Sequence, residues 1–169
     1  MDVRVIQGDI ATQRADVIVN AANTSLAMGS GVAGALRRAA GGEINEATIA
    51  NGPIELGNVA VTDAYDLAAN YVIHAAAMPH YGDRQATAAS IRNATRSSLV
   101  TADNLGWTSI VLPALGCGVA GYSLNQGVRL IAEEINDFNG ESLEDVRLIA
   151  YRKDEYDTIQ HVVTEVYST

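Results

Sequence analysis

Short β-branched and aliphatic runs recur along the chain with helix-sized stretches between them, and this alternation limits the fold more than any other feature. Val3 to Gln7 and Val17-Ile-Val-Asn20 read as strands, as do Asn58 to Asp63, Tyr71 to Ala75, Thr108 to Leu112 and Val146 to Tyr151. Val32 to Ala40, Glu43 to Ala50, Gln85 to Leu105, Leu124 to Phe138 and Asp154 to Tyr167 read as helices, several closed by Gly or Asn-Gly. Strands this apolar are covered on both faces, and helical connections between them imply parallel crossovers. The expected class is therefore α/β, in three layers, with a mostly parallel sheet. No linker, charge block or low-complexity tract interrupts the 169 residues, so a single domain over 1–169 is expected. In such sheets ligands bind beyond the carboxyl ends of the strands, which directs attention to the residues after Gln7, Asn20, Leu112 and Tyr151.

Composition narrows the setting. One cysteine, Cys117, excludes an internal disulfide and a multi-cysteine zinc site, and neither His80 nor His161 has metal-ligand spacing, so no metal is expected. No apolar run is long enough to span a bilayer, and Met1-Asp2-Val3-Arg4 does not open like a signal peptide. A soluble, cytoplasmic monomer is expected. Eleven Lys and Arg against twenty Asp and Glu give a net charge of −9, which disfavours nucleic acid as a partner. Lys153 is the sole lysine. An acidic, lysine-poor surface suits a salt-rich cytoplasm and is equally reachable by drift. An anionic ligand is then expected on backbone N–H groups rather than on a basic patch.

Two loops offer such groups. Gly29-Ser-Gly-Val-Ala-Gly34 and Gly116-Cys-Gly-Val-Ala-Gly121 differ only at their second position, and each lies between a strand and a helix. Glycine allows positive φ and lets an oxygen-rich group approach the backbone, whose successive N–H groups make an anion-binding concavity. One such loop is a weak signal. Neither makes a good dinucleotide fingerprint either, because Ala21 to Met28 separates the first from its strand, and Asn51-Gly-Pro53 places Glu55 in a loop. Two near-identical loops at strand ends instead suggest two walls around one diphosphate.

Val5-Ile-Gln-Gly-Asp-Ile10, Asp16-Val-Ile-Val-Asn-Ala-Ala-Asn23, Gly29-Ser-Gly-Val32, Tyr71-Val-Ile-His74 and Leu112-Pro-Ala-Leu-Gly-Cys-Gly-Val-Ala-Gly121 resemble, in order, the successive motifs of the macrodomain family. The pattern from Gly29 to Met78 is most similar to the family's archaeal, ADP-ribose-binding branch. The resemblance implies a mixed sheet of six or seven strands between helices, with ADP-ribose or an ADP-ribosylated protein as partner and no cofactor.

It also implies roles. Asp9 would accept the adenine amino group while the Ile10 N–H meets a ring nitrogen; read alone, Asp9 is equally an N-cap for the turn behind it. Asn23 would face the distal ribose and position water, and Asn20 would support the loop, although both are also ordinary turn-formers. Tyr151 would stack on adenine; without the resemblance it reads as a tyrosine at the core's edge. Ser30, Gly31 and Val32 of the first loop, and Pro113, Leu115, Gly116, Cys117, Gly118, Val119, Ala120 and Gly121 of the second, are the expected ligand contacts. Cys117 ahead of a helix could have a lowered pKa and act as a nucleophile. The family commonly has Ser or Thr there as a phosphate contact, so the contact role is favoured. His74 could serve as a base, but its place within a strand suits a buried, hydrogen-bonded histidine better.

The departures matter as much. Many hydrolase-type macrodomains carry aspartate where this chain has Ala33 and histidine where it has Arg37, and without that aspartate the obvious general base is missing. The expected function is ADP-ribose binding with at most slow, metal-independent hydrolysis of ADP-ribose esters. A dedicated ADP-ribosylhydrolase is the main alternative. A dinucleotide-dependent oxidoreductase, resting on G-x-G-x-x-G alone, is the weaker one.

Overall fold

The computed structural model describes residues 1–168. Six strands, β1 (Asp2–Gln7), β2 (Ala15–Asn23), β3 (Val59–Asp63), β4 (Ala69–Met78), β5 (Ser109–Leu112) and β6 (Asp145–Ala150), form one sheet in the order β1-β6-β5-β2-β4-β3. All neighbours pair in parallel except β3, which returns antiparallel along β4. Helices α1 (Gly31–Ala40) and α2 (Ile44–Ile49) cover one face. Helices α3 (Ala88–Asn104), α4 (Leu124–Asp137) and α5 (Lys153–Tyr167) cover the other. This is the expected three-layer class.

The two-sided burial is readable residue by residue. In β2, Val17 and Val19 pack into the core beneath α3 to α5, whereas Ile18 between them packs beneath α1 and α2. Ile110 and Leu112 alternate with Val111 in the same way, and Leu148 and Ala150 with Ile149. Adjacent side chains of a strand point to opposite faces, so a strand apolar at every position needs a layer on each side.

Two strands run longer than their apolar sequence runs suggested. β2 reaches Asn23 and β4 reaches Met78, because the two pair from Ala15–Ala69 to Asn23–Met78. The extra residues are mostly alanine, a poor strand former by propensity, held extended by its neighbours. A register shift between Ala22 and Asn23 then turns the end of β2. Helix α3 starts later than expected, at Ala88, where Thr87 and Ser90 form a reciprocal cap.

Beneath the α2 side lies a buried polar knot. His74 is fully enclosed, with Nδ1 3.0 Å from Asn20 Nδ2 and Nε2 2.9 Å from Thr62 Oγ1 and 3.2 Å from Thr48 Oγ1. The Asn20 amide can only donate to Nδ1, so Nε2 carries the imidazole proton toward the two hydroxyls. The knot joins β2, β3, β4 and α2. Burial pushes the His74 pKa down to about 4, and the ring is therefore neutral in the fold.

A folded-state pKa below the unfolded value makes stability fall with acid. Above pH ~6.5 both states hold neutral His74; below it only the unfolded chain takes the proton, at roughly 1.4 kcal/mol per pH unit until pH ~4. Urea unfolding at pH 7 and pH 5 should therefore differ by about 2 kcal/mol through this residue. His74→Gln should be less stable at pH 7 but show a correspondingly smaller difference between the two pH values.

Candidate functional site

The parallel order places the carboxyl ends of β1, β6, β5, β2 and β4 in one row. Four strand spacings of ~4.8 Å give this row a length of about 19 Å. A cleft of about 1120 Å³ runs along it, adjoined by a hollow of about 380 Å³ at the β1 end. The two share Gly31, Val32, Pro113, Ile149 and Tyr151 in their linings. The site is therefore elongated.

At the β1 end, Asp9 caps the short 3-10 turn Ile10–Thr12, its Oδ1 accepting from Ala11 N at 2.9 Å. Its second oxygen remains available, so the capping role and a ligand role coexist. Asp9 and Ile10 line the hollow with Tyr151, which is 74% exposed just past β6. The ring thus has a bare face at the mouth.

The middle is formed by the two glycine loops. Helix α1 begins at Gly31 and the 3-10 turn Gly118–Ala120 follows Cys117, and in neither does the N-cap side chain supply a hydrogen bond. By contrast, Thr87 and Ser123 cap α3 and α4. The first N–H groups of a helical segment have no partner within it, so the two uncapped starts present donors to the cleft. Gly31 (φ +61°) and Gly118 (φ +76°) adopt left-handed backbone, and a Cβ on either would enter open space. Gly116 and Gly121 differ: a Cβ there would strike Ile91 or Gln85. The repeated motif thus combines glycines that keep the cleft open with glycines required by packing.

At the β2–β4 end, Asn23 Oδ1 accepts from Ser25 N at 2.8 Å and from Ser25 Oγ. Its amide oxygen is committed and its NH₂ is the half left for a ligand. Asn45 is arranged alike, with Oδ1 accepting from Met28 N at 2.9 Å. Ala33 lines the cleft here, as do Arg37, His80 and Arg84. Arg37 Nη1 donates to Met28 O at 3.1 Å.

Most of the expected contacts meet here. Asn23, Ser30, Gly31, Val32, Pro113, Gly116, Cys117, Gly118, Val119, Ala120 and Tyr151 line the cleft, and Asp9 and Ile10 the hollow. Three do not line either. Asn20 is 1% exposed and belongs to the His74 knot, on the buried side of its strand. Leu115 is fully buried in the core beneath α3, because the turn after Pro113 directs it inward. Gly121 packs against Gln85. Beside the backbone donors on which an anion is expected to rest, Arg37 and Arg84 line the cleft and Arg38 the hollow. Sequence reasoning overlooked His80, Arg84 and Asn45. The strand-end rule applied to β4, as it was to β1, β2, β5 and β6, would have pointed to the segment holding the first two.

Cys117 does not have the lowered pKa expected of a nucleophile. Its thiol lies 3.8 Å from both Leu115 O and Ser123 O, against Gly127 of α4, and burial raises its pKa to about 11. A three-residue turn offers too little dipole to offset that desolvation. No group of three or more His, Cys, Asp or Glu that could hold a metal ion occurs among the described residues. No helix among them is long and apolar enough to cross a membrane.

A mostly parallel sheet between two helical layers, with uncapped helix starts and open glycines over its carboxyl edge, defines an α/β protein with a cleft lined by backbone N–H donors. The chain belongs to the macrodomain family: residues 19–131 match the Macro domain. An uncharacterized protein of Saccharolobus solfataricus is 36% identical over 170 residues, covering 98% of this chain and 94% of its own. A macro domain-containing protein of Xanthomonas axonopodis pv. citri is 34% identical over 171 residues, covering 96% of each. Among solved structures, an Oceanobacillus iheyensis macrodomain mutant with ADPR has a TM-score of 0.89 at 25% identity, covering 98% of this chain and 93% of that one. The Trypanosoma brucei macrodomain in complex with ADP-ribose has a TM-score of 0.87 at 30% identity, covering 95% and 68%.

A thiol with a pKa near 11 has a thiolate fraction at pH 8 more than a hundredfold below that of an ordinary cysteine. Iodoacetamide should accordingly modify folded protein roughly a hundred times more slowly than urea-unfolded protein, with a rate still rising at pH 10. Fast alkylation at pH 7 would show an activated thiol.

Proposed function

We propose that this chain, read as one macrodomain, binds ADP-ribose, free or attached to protein. The observation that carries this reading is the pair of uncapped, glycine-opened starts at Gly31 and Gly118, with the hollow lined by Asp9, Ile10 and Tyr151 on one side and the Asn23 amide donor on the other. Adenine lies at the β1 end, its amino group donating to the second oxygen of Asp9 and its ring against Tyr151. The diphosphate takes N–H groups from both loops. The distal ribose meets the NH₂ of Asn23. The length of the strand-end row suits an extended nucleoside diphosphate sugar, and the ADPR and ADP-ribose complexes named above support the assignment.

Binding is the primary activity. The main requirement for hydrolysis of an ADP-ribose ester is a base to activate water, and Ala33 occupies the position where the resemblance expects a carboxylate. Asn23 can orient a water but cannot take its proton. Turnover by positioning alone is therefore slow.

Calorimetric titration tests the reading. ADP-ribose should bind more tightly than AMP, and both far more tightly than GDP, whose ring carbonyl would face the Asp9 carboxylate. Asp9→Ala should weaken ADP-ribose binding by about 1.5–3 kcal/mol, the range for hydrogen bonds to charged groups. Gly118→Glu should abolish it with the circular dichroism spectrum unchanged, since the new side chain fills the phosphate space. Normal ADP-ribose binding by Gly118→Glu would exclude the two-walled cradle.

The catalytic part has its own readout. On a carboxylate-linked ADP-ribosyl peptide, Ala33→Asp should release ADP-ribose faster than wild type. The gain should stay below the 10²–10⁴-fold typical of well-placed general bases, because the loop has not adapted to a carboxylate. An unchanged rate would show that the deficit lies elsewhere in the site.

A further inference from the structure

Cations are scarce in this chain and most are neutralised by neighbours. Arg4, Arg92, Arg96, Arg129, Arg147, Arg152 and Lys153 each pair with a carboxylate. Arg14, Arg37, Arg38 and Arg84 form no ion pair among the described residues, although carboxylates outnumber cations twenty to eleven. Two of these four, Arg37 and Arg84, line the β2–β4 end of the cleft. Among the described residues, the cleft's only carboxylates, Asp154 and Glu155, lie just beyond Tyr151 at its opposite side, within 4 Å of Arg152.

The neutral groups at this end offer donors as well. Asn23 and Asn45 have committed their amide oxygens and keep their NH₂ groups. Thr24, 2% exposed, accepts from His80 N at 2.9 Å and has its Oγ1 2.6 Å from His80 Nδ1. A buried hydroxyl needs an acceptor, and Nδ1 is the one within reach, so neutral His80 carries its proton on Nε2. Asn23, Arg37, Asn45, His80 and Arg84 thus form a surface of donors, while Asp83, the carboxylate of segment 80–85, accepts from Gln85 N at 3.0 Å and does not line the cleft. Such a surface is matched to an anion rather than to a neutral sugar alone.

Its position identifies what bears the charge. His80 and Arg84 belong to the exposed segment 80–85, anchored to Thr24 at one end and through Ala86 N to Ala120 O (3.0 Å) at the other. This segment forms the outer wall of the cleft at the distal-ribose end, where the modified protein would enter. Resting on the ADP-ribose reading above, we propose that this end of the cleft selects ADP-ribosylated proteins whose modified residue is flanked by an acidic side chain, with Arg84 pairing with that side chain and Arg37 supporting the same field.

The test compares stably linked ADP-ribosyl peptides that differ only in Glu or Gln beside the modified residue, alongside free ADP-ribose and ADP-ribose 1″-phosphate. Wild type should bind the Glu peptide about fivefold more tightly at low salt, the size of one exposed ion pair, and the gap should close near 1 M salt. Arg84→Ala should abolish the gap between the two peptides, and Arg84→Lys should restore part of it. Equal affinity for the two peptides, with free ADP-ribose still bound, would overturn this inference alone. Failure to bind free ADP-ribose would overturn the underlying reading of the cleft. If Arg84→Ala weakens ADP-ribose 1″-phosphate more than the Glu peptide, the anion is a phosphate on the nucleotide and the protein-carrier assignment is wrong.

Discussion

Five parallel strands, from β1 across to β4, impose the arrangement on which everything else depends. Parallel pairing requires each connection to return to the starting edge, so the chain crosses a face of the sheet between strands. That buries both faces and accounts for runs such as Val17-Ile-Val19 and Ile110-Val-Leu112, apolar at every position. It also gathers the loops after β1, β2, β4, β5 and β6 along a single edge. The ends are fixed by ladder hydrogen bonds, and the loops inherit that spacing and are tied to one another by bonds such as Ala86 N to Ala120 O and His80 N to Thr24 Oγ1. An elongated cleft follows directly from the strand order.

Within the cleft, the polar groups share one chemical arrangement. Acceptors are spent inside the protein, whereas donors are left facing out. Asn23 and Asn45 bind neighbouring N–H groups through their oxygens, and α1 and the turn at Gly118 start without a side-chain cap. Each internal bond also removes a rotational choice, so the amides are oriented before any ligand arrives. Asp9 is the exception, keeping one oxygen outside its capping bond. With Asp154 and Glu155 just beyond Tyr151, it puts the carboxylates at one end and the donors at the other, which gives a ligand with one amino edge and many oxygens a single direction in which to lie. The His74 knot braces the strands that carry Asn23 and Met78 from below.

Much of this was legible in the sequence because it is written in local chemistry. Apolar runs of strand length revealed the sheet, and the repeated glycine pattern revealed the cradle, since both signals lie in consecutive residues. What escaped depends on neighbours distant in the chain. The extension of β2 and β4 rests on their mutual pairing rather than on the propensity of alanine. Leu115 lies within the glycine-loop segment and looks like a contact, but the turn after Pro113 buries it. The thiol of Cys117 meets Gly127 and Ser123 of another segment, and that burial reverses the pKa shift its place before a helix suggested. Arg84 and His80 follow β4, a strand whose end the sequence placed short, so their membership in the site was hidden.

The same donor arrangement limits chemistry as it favours binding. Fixed N–H groups around phosphate oxygens grip ground state and transition state almost equally, and uniform binding of that kind lowers the dissociation constant without lowering the barrier. Acceleration needs a group whose interaction strengthens as the reaction proceeds, such as a carboxylate taking a proton from attacking water. At the distal end of this cleft, Ala33 offers a methyl group, Asn23 an amide NH₂ and His80 a ring whose Nδ1 is taken up by Thr24 Oγ1. On the ADP-ribose reading, this end of the cleft therefore offers donors without a base beside them. On the ADP-ribose reading proposed above, Ala33 is then the position at which recognition and turnover part in this cleft.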